Sequence, residues 1–399
     1  MLVNKTKQKL QDGKPVFGCT VQFDDPFITE VIGAAGFDFI LIDGQHAPLD
    51  GEKIFKMTRG FAPTESQVIV RVVWNETWLI NQALDMGADG VIIPLPNTAD
   101  EVRRAVKAAK YPPKGVRSNG PRKTDHLGGF GEYQARANEE TIVWPQIESQ
   151  EAIDNIDEIV EQSDALMVAR GDMGVEVPLK RVPVIQKDLI RRSNSAGKPV
   201  ITATQMLESM INSSSPTRAE VTDVANAVYD GSDAIMLSGE TSIGEYPVEA
   251  VKVMAETAME AESALPYARM MAERFSELEA LTDDVISFAA CQTSNELASD
   301  LIVAFTESGS SAGRVSRYRP RAKILALTPW EHVRNRLTLR WGVFPVIVAN
   351  VADVDEFFSL GEMECRKVLG LKGGNVVLVA GTPIGVPGST NLLRVLNLD

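Results

Sequence analysis

Eight short runs rich in Val and Ile recur between residues 16 and 239, and each is apolar almost without interruption. They occupy residues 16–23, 37–43, 67–73, 90–95, 141–148, 164–171, 198–205 and 233–239. A strand with one wet face alternates apolar and polar residues. A continuous apolar run needs cover on both faces, as in a parallel sheet. Helical patterns such as 98–110 and 184–196 separate the runs. Eight strand–helix units of this kind close into a (β/α)8 TIM barrel. The barrel is expected over residues 1–265, a linker with helix over 266–283, and a smaller α/β domain over 284–399. A long helix is expected over 256–284, and further strands over 300–306, 323–328, 343–348 and 375–381.

Composition narrows the function. The net charge of −14 argues against nucleic acid and against anionic membrane surfaces as partners. Cys19, Cys291 and Cys365 are far apart and form no CxxC pair, which suits a reducing cytoplasm and no zinc site. No apolar run is long enough to span a bilayer, and the start of the chain runs into polar residues without a signal-peptide core.

Polar residues gather where the expected strands end: Asp43, Arg71, Glu148, Asp172, Thr204 and Glu240. That rim is where such barrels carry chemistry. Glu148 ends the fifth strand and Asp172 the sixth, so both can reach one divalent cation, which prefers carboxylate oxygen. Arg71, ending the third strand, can hold a developing oxyanion. His46, just past the second, is suited to move a proton near neutral pH. Each also has a structural reading: rim salt bridges for Glu148, Asp172 and Arg71, and a loop cap for His46. His126 and His332 read as structural or solvated.

Over residues 5–160 the chain resembles the metal-dependent 4-hydroxy-2-oxoheptanedioate aldolase family. The stretches that carry the resemblance are Ile42-Asp43-Gly44-Gln45-His46-Ala47-Pro48, Val70-Arg71-Val72, Leu84-Asp85-Met86-Gly87-Ala88, Tyr111-Pro112-Pro113-Lys114-Gly115-Val116-Arg117-Ser118, Ala137-Asn138-Glu139-Glu140 and Gln146-Ile147-Glu148. The resemblance implies that Asp85 orients His46, while its place before Gly87 at a helix end suits a structural role equally well. Gln45 stands where that family often has Glu, which removes a charge beside His46.

From about residue 155 onward the chain resembles pyruvate kinase. Asn155-Ile156-Asp157-Glu158-Ile159, the stretches 167–177 and 198–210, Pro216-Thr217-Arg218-Ala219-Glu220-Val221, Asp223-Val224-Ala225-Asn226-Ala227-Val228 and Met236-Leu237-Ser238-Gly239-Glu240-Thr241 carry this match. It implies that Asp172 is a metal ligand and that Thr204 meets the substrate carboxylate, with Gly171 and its turn offering backbone N–H groups. Gln146 stands in the substrate site where that family has a lysine. The family's lid domain has no counterpart after the third strand, and efficient ATP synthesis is therefore not expected. Thr306, Ser308, Gly309, Ser310 and Ser311, with Arg317-Tyr318-Arg319-Pro320, resemble its effector phosphate loop, and Gly381-Thr382-Pro383 with Gly388-Ser389-Thr390-Asn391 its closing loop. Glu307 adds a negative charge there, and a Ser/Gly-rich structural turn is the equal alternative for the loop.

The reading that follows is a lyase acting on 4-hydroxy-2-oxo acids through a pyruvate enolate, with oxaloacetate decarboxylation as a side reaction. It would use Mg²⁺ or Mn²⁺ and no organic cofactor. A catalytic or degenerate pyruvate kinase relative is the alternative, and a phosphometabolite-binding protein without catalysis a third. A small oxo acid is the expected partner, in a cytoplasmic homodimer or homotetramer.

Overall fold

In the computed structural model the described residues are 18–22, 25, 29–30, 32, 39–61, 66–121, 131, 133–134, 137–138, 141–275, 278, 280–330, 333–334, 337, 340–351, 353–369, 374–383 and 390–398. They form two compact units that divide after Leu265. The first unit holds eight strands: β1 (Gly18–Val21), β2 (Phe39–Asp43), β3 (Gln67–Arg71), β4 (Gly90–Ile93), β5 (Ile142–Ile147), β6 (Leu166–Ala169), β7 (Val200–Ala203) and β8 (Ala234–Met236). They pair in chain order, each parallel to the next. Each expected run contains a strand, and among the described residues the strands end within a few residues of the expected bounds. Residues 16, 17 and 23 of the first expected strand lie outside the described residues.

The helices between the strands are α1 (Gly51–Phe61), α2 (Thr77–Asp85), α3 (Ala99–Ala109), α4 (Gln150–Asp154), α5 (Ile156–Gln162), α6 (Arg170–Glu176), α7 (Val182–Ser195), α8 (Arg218–Tyr229), α9 (Gly239–Ser242) and α10 (Pro247–Ser263). α9, which follows the last strand, touches β1, so the two ends of the curled sheet come together. Local chemistry explains the boundaries. α3 begins at Thr98, whose hydroxyl accepts from the Glu101 N–H while the Glu101 carboxylate accepts from the Thr98 N–H. α8 repeats this reciprocal cap with Thr217 and Glu220. Such caps satisfy backbone donors that a helix start otherwise leaves bare.

Register in the barrel is pinned at the opposite end from the rim. Asp89, just before β4, accepts from the Val68 N–H of β3 at 3.0 Å. Asp164, before β6, accepts from Val143 of β5 at 3.2 Å, and Asp233, before β8, from Val200 of β7 at 2.9 Å. A one-residue slip would break all three bonds and turn the buried faces outward. The core between sheet and helices is aliphatic, with Ile40, Ile42, Met57, Val70, Ile80, Leu84 and Val91 in one cluster and Ile147, Ile159, Leu166, Val168, Leu189 and Val200 in another.

The second unit has a five-stranded sheet in the order β11-β10-β9-β12-β13, formed by β9 (Leu301–Phe305), β10 (Lys323–Thr328), β11 (Val343–Ile347), β12 (Asn375–Gly381) and β13 (Thr390–Asn397). β13 is the antiparallel edge. α11 (Tyr267–Phe275), α12 (Thr282–Glu296), α13 (Ser310–Arg317) and α14 (Val354–Leu369) belong to this unit. The single helix expected over 256–284 is a correction: α10 stops at Ser263 and α11 starts after Pro266. Proline lacks the N–H that an uninterrupted helix would need there. No helix among the described residues is long and apolar enough to cross a membrane.

Candidate functional site

Five side chains from the ends of β2, β3, β5 and β6 form one polar chain across the barrel rim. It starts at Asp43, which ends β2 and is fully buried. Its Oδ1 accepts from Arg71 Nε at 2.9 Å and its Oδ2 from Arg71 Nη2 at 2.7 Å. Gln22 Nε2 and the backbone N–H groups of Gln45 and His46 complete its shell. Burial pushes the Asp43 carboxyl up, but the hydrogen bonds and charge of Arg71, with those of Gln22 and His46, outweigh it and hold it below the usual carboxylate range. Gly44 lets the turn after β2 lie against β3: its N–H donates to the Arg71 carbonyl at 2.9 Å, and a Cβ there would sit 2.7 Å from that oxygen.

Arg71 passes the chain to β5. Its Nη1 lies 3.5 Å from Gln146 Oε1. The Gln146 amide nitrogen then donates to Glu148 Oε2 at 2.6 Å and to Asp172 Oδ2 at 3.0 Å. Glu148 and Asp172 therefore converge. The other Glu148 oxygen accepts from the Leu95 N–H at 2.8 Å. Burial first, then the negative charge of Asp172, raises the Glu148 carboxyl to about 7. A pair of facing carboxylates held together by one amide is a site short of positive charge. Among the described residues no group of three or more His, Cys, Asp or Glu side chains stands ready to hold a metal. Two carboxylates suffice for Mg²⁺, which keeps water and takes the rest of its oxygens from substrate. The residues fit such an ion, which Glu148 and Asp172 would hold between them.

The next strand end supplies a strained turn. Thr204 and Gln205, just past β7, have φ of 69° and 53°. The left-handed region costs a non-glycine residue ~1–2 kcal/mol, and a β-branched one is rarely found there. The Thr204 hydroxyl accepts from the Gly171 N–H at 2.8 Å. Gly171 thus donates to Thr204 in this structure, where a substrate carboxylate was expected to receive that N–H.

Two expectations about the first half need correction or restriction. Asp85 does not orient His46 here. It ends α2, near the start of β4 and away from the rim, and pairs with buried Arg117 at 3.1 Å. Arg117 in turn lies 4.7 Å from the Tyr111 ring centroid and 5.5 Å from that of Tyr133. His46 is exposed in the loop after β2 and anchors it through its backbone N–H. It is the one histidine among the described residues, since His126 and His332 lie outside them. Asp43, counted only as a strand-end residue from sequence, is the residue on which Arg71 and this loop depend.

In the second unit Thr306 is buried and its N–H donates to Leu327. Gly309, with φ of 85°, caps α13. The Ser310 hydroxyl accepts from Arg314 at 2.6 Å, and Ser311 pairs with Thr390 at 2.6 Å. Glu307 accepts from the Trp330 indole N–H. Gly388 and Ser389 lie outside the described residues.

Comparison with known proteins identifies what the later part of the chain, including the ends of β5, β6 and β7, resembles. Residues 119–251 match the family model for the pyruvate kinase barrel domain, and residues 284–396 that for the pyruvate kinase alpha/beta domain. Both matches are to pyruvate kinase. The pyruvate kinase of Clostridium acetobutylicum is 49% identical over 256 residues, covering 63% of this chain and 54% of that protein. Those of Staphylococcus haemolyticus and Staphylococcus saprophyticus are 47% and 46% identical, covering 64% and 65% of this chain and 44% and 45% of theirs. The chain spans about half the length of the curated relatives it matches.

These matches overturn the lyase reading. The named relatives are kinases, and the pyruvate kinase match starts at residue 119, inside the stretch assigned from sequence to the aldolase family. The comparisons support only the pyruvate kinase half of the resemblance. The reason for the error is physical: a divalent ion between strand-end carboxylates, beside a guanidinium, serves any enolate chemistry. The residues constrained the intermediate and left open what attacks or leaves it.

Proposed function

We propose that the rim site acts on the phosphoenolpyruvate–pyruvate pair in a pyruvate kinase-type phosphoryl transfer. The carrying observation is the convergence of Glu148 and Asp172 through Gln146, inside a segment matched to the pyruvate kinase barrel. In the transfer direction the phosphoryl group leaves the enol oxygen for a nucleoside diphosphate oxygen, and the enolate left behind takes a proton at carbon to give pyruvate. A divalent cation on Glu148 and Asp172 would supply Lewis-acid stabilisation of the charge on the oxygens. Arg71 is oriented by Asp43 so that Nη1 faces Gln146, and it provides the fixed cation of the site. The Thr204 hydroxyl, which accepts from the Gly171 N–H, turns its own proton toward the substrate carboxylate.

Gln146 and the short link from β3 to α2, only residues 72–76, favour a second reading. A neutral amide and no inserted lid leave the transferring phosphoryl group less neutralised and more exposed to water. The site would then bind phosphoenolpyruvate and cation but transfer slowly.

The test is pyruvate release from phosphoenolpyruvate with a nucleoside diphosphate, Mg²⁺ or Mn²⁺ and potassium, beside thermal shift with oxalate, which mimics the enolate. Turnover that falls at least about a hundredfold in Asp172→Asn and Arg71→Ala supports the transfer reading. Oxalate stabilisation that requires Mn²⁺, with no turnover, supports the second. Neither turnover nor Mn²⁺-dependent oxalate binding removes both.

A further inference from the structure

Arg170 spends two of its donors on one backbone oxygen. Its Nε lies 3.1 Å and its Nη2 2.7 Å from the Thr204 carbonyl. Nη1 is held by Asp223 Oδ2 of α8 at 2.6 Å and Gln186 Oε1 of α7 at 3.3 Å, and Nη2 also touches Met206 Sδ at 2.8 Å. The side chain is 8% exposed. A buried guanidinium with every nitrogen engaged is a rigid fork. The carbonyl it clamps belongs to a β-branched residue in the left-handed region, followed by Gln205 in the same region. Left alone, that turn would relax toward extended backbone and carry the hydroxyl away from Gly171.

We propose that Arg170, set by Asp223, is a positioning residue that holds Thr204 in its left-handed conformation so that the Thr204 hydroxyl stays on the Gly171 N–H at the rim. Arg170 touches no substrate. It acts through Thr204, and its effect on ligand binding rests on the function proposed above. Because Glu148 and Asp172 are tied to Gln146 rather than to Arg170, cation binding and carboxylate binding separate.

The test is a double-mutant cycle on the full chain, read as oxalate affinity in the presence of Mn²⁺. Arg170→Lys loses the two-pronged clamp, and oxalate binding weakens about tenfold. Mn²⁺ affinity measured alone stays within about twofold. In a Thr204→Ala background, where the hydroxyl is gone, Arg170→Lys adds less than about twofold. Equal losses in both backgrounds, or Mn²⁺ binding that falls as far as oxalate binding, overturn the proposal. Asp223→Asn carries the same test if Arg170→Lys does not fold. Should the wild-type protein bind no oxalate, the proposed function falls, and melting judges the positioning role separately. Glycine adopts the left-handed turn at no steric cost. The drop in Tm from Arg170→Lys must therefore shrink in a Thr204→Gly background, and an equal drop in both overturns it.

Discussion

Asp43→Asn is the substitution that most directly tests how the rim is built. Asp43 is fully buried and accepts five hydrogen bonds, two of them from Arg71, whose side chain is 12% exposed. Asparagine keeps the volume and one acceptor oxygen. Its amide nitrogen must face a donor, and the Arg71 charge loses its counter-charge. Removing one partner of a buried pair costs ~3–5 kcal/mol. For a unit of this size each kcal/mol lowers Tm by ~2–4 °C. The slight exposure of Arg71 favours the lower half of the product, a drop of about 6–12 °C in the barrel transition. The pH dependence carries a sign. The Asp43 carboxyl is held below its ordinary value of 3.8 in the folded state. Its contribution is therefore present above that value and lost as pH falls through the lower folded value. Thermal unfolding followed by circular dichroism should show a full deficit for the variant from about pH 5 to 8, and a shrinking one in strong acid. A deficit under about 2 °C at neutral pH, or one unchanged in strong acid, would refute the account.

Other consequences follow from the same geometry. The Glu148 carboxyl, raised from 4.5 to about 7, must lose its proton to bind a cation. Mn²⁺ affinity should climb about tenfold per pH unit toward 7 and level off above it, and calorimetry showing a flat profile from about pH 5.5 to 8 would contradict this. Without the ion, the raised value makes the Glu148 contribution to stability full below about 4.5 and lost as pH rises through about 7, so Tm of the ion-free protein should fall across that window. Thr98→Ala should cost ~1 kcal/mol by chemical denaturation. Adding Glu101→Ala should cost less than it does alone, because the two side chains form one reciprocal cap. Cys365 is buried, and burial pushes its thiol up to about 12. It should resist iodoacetamide at about pH 8 until the protein unfolds, and rapid labelling of the folded chain would count against its placement.

Much of the architecture was readable in advance because it is written in local patterns. The eight apolar runs found their strands since each needs cover on both faces. The Thr98 and Glu101 pair marks the start of α3 for a reason confined to four residues. The misread helix over 256–284 had its own local signal in Pro266, outweighed by the helical pattern on either side. The site was legible only as a collection of strand-end residues. Asp43 and Arg71 are separated by 28 positions, Glu148 and Asp172 by 24, and Arg170 and Asp223 by 53, and no periodicity links such distances. Asp85 shows the same limit from the other side. Its motif left a partnership with His46 and a structural role equally open, and only the fold brings its carboxylate to buried Arg117.

From its residue order alone, this protein was bound to be a run of parallel strand–helix units with acidic and basic groups at the strand ends, because hydrophobic periodicity acts over a few residues. Only the curled side-by-side arrangement of the strands decided that Arg71 is neutralised by Asp43 while Glu148 and Asp172 face each other, leaving their pair in need of a cation. Electrostatic pairing falls off with distance in space, and adjacent strand ends become neighbours only when the sheet has formed.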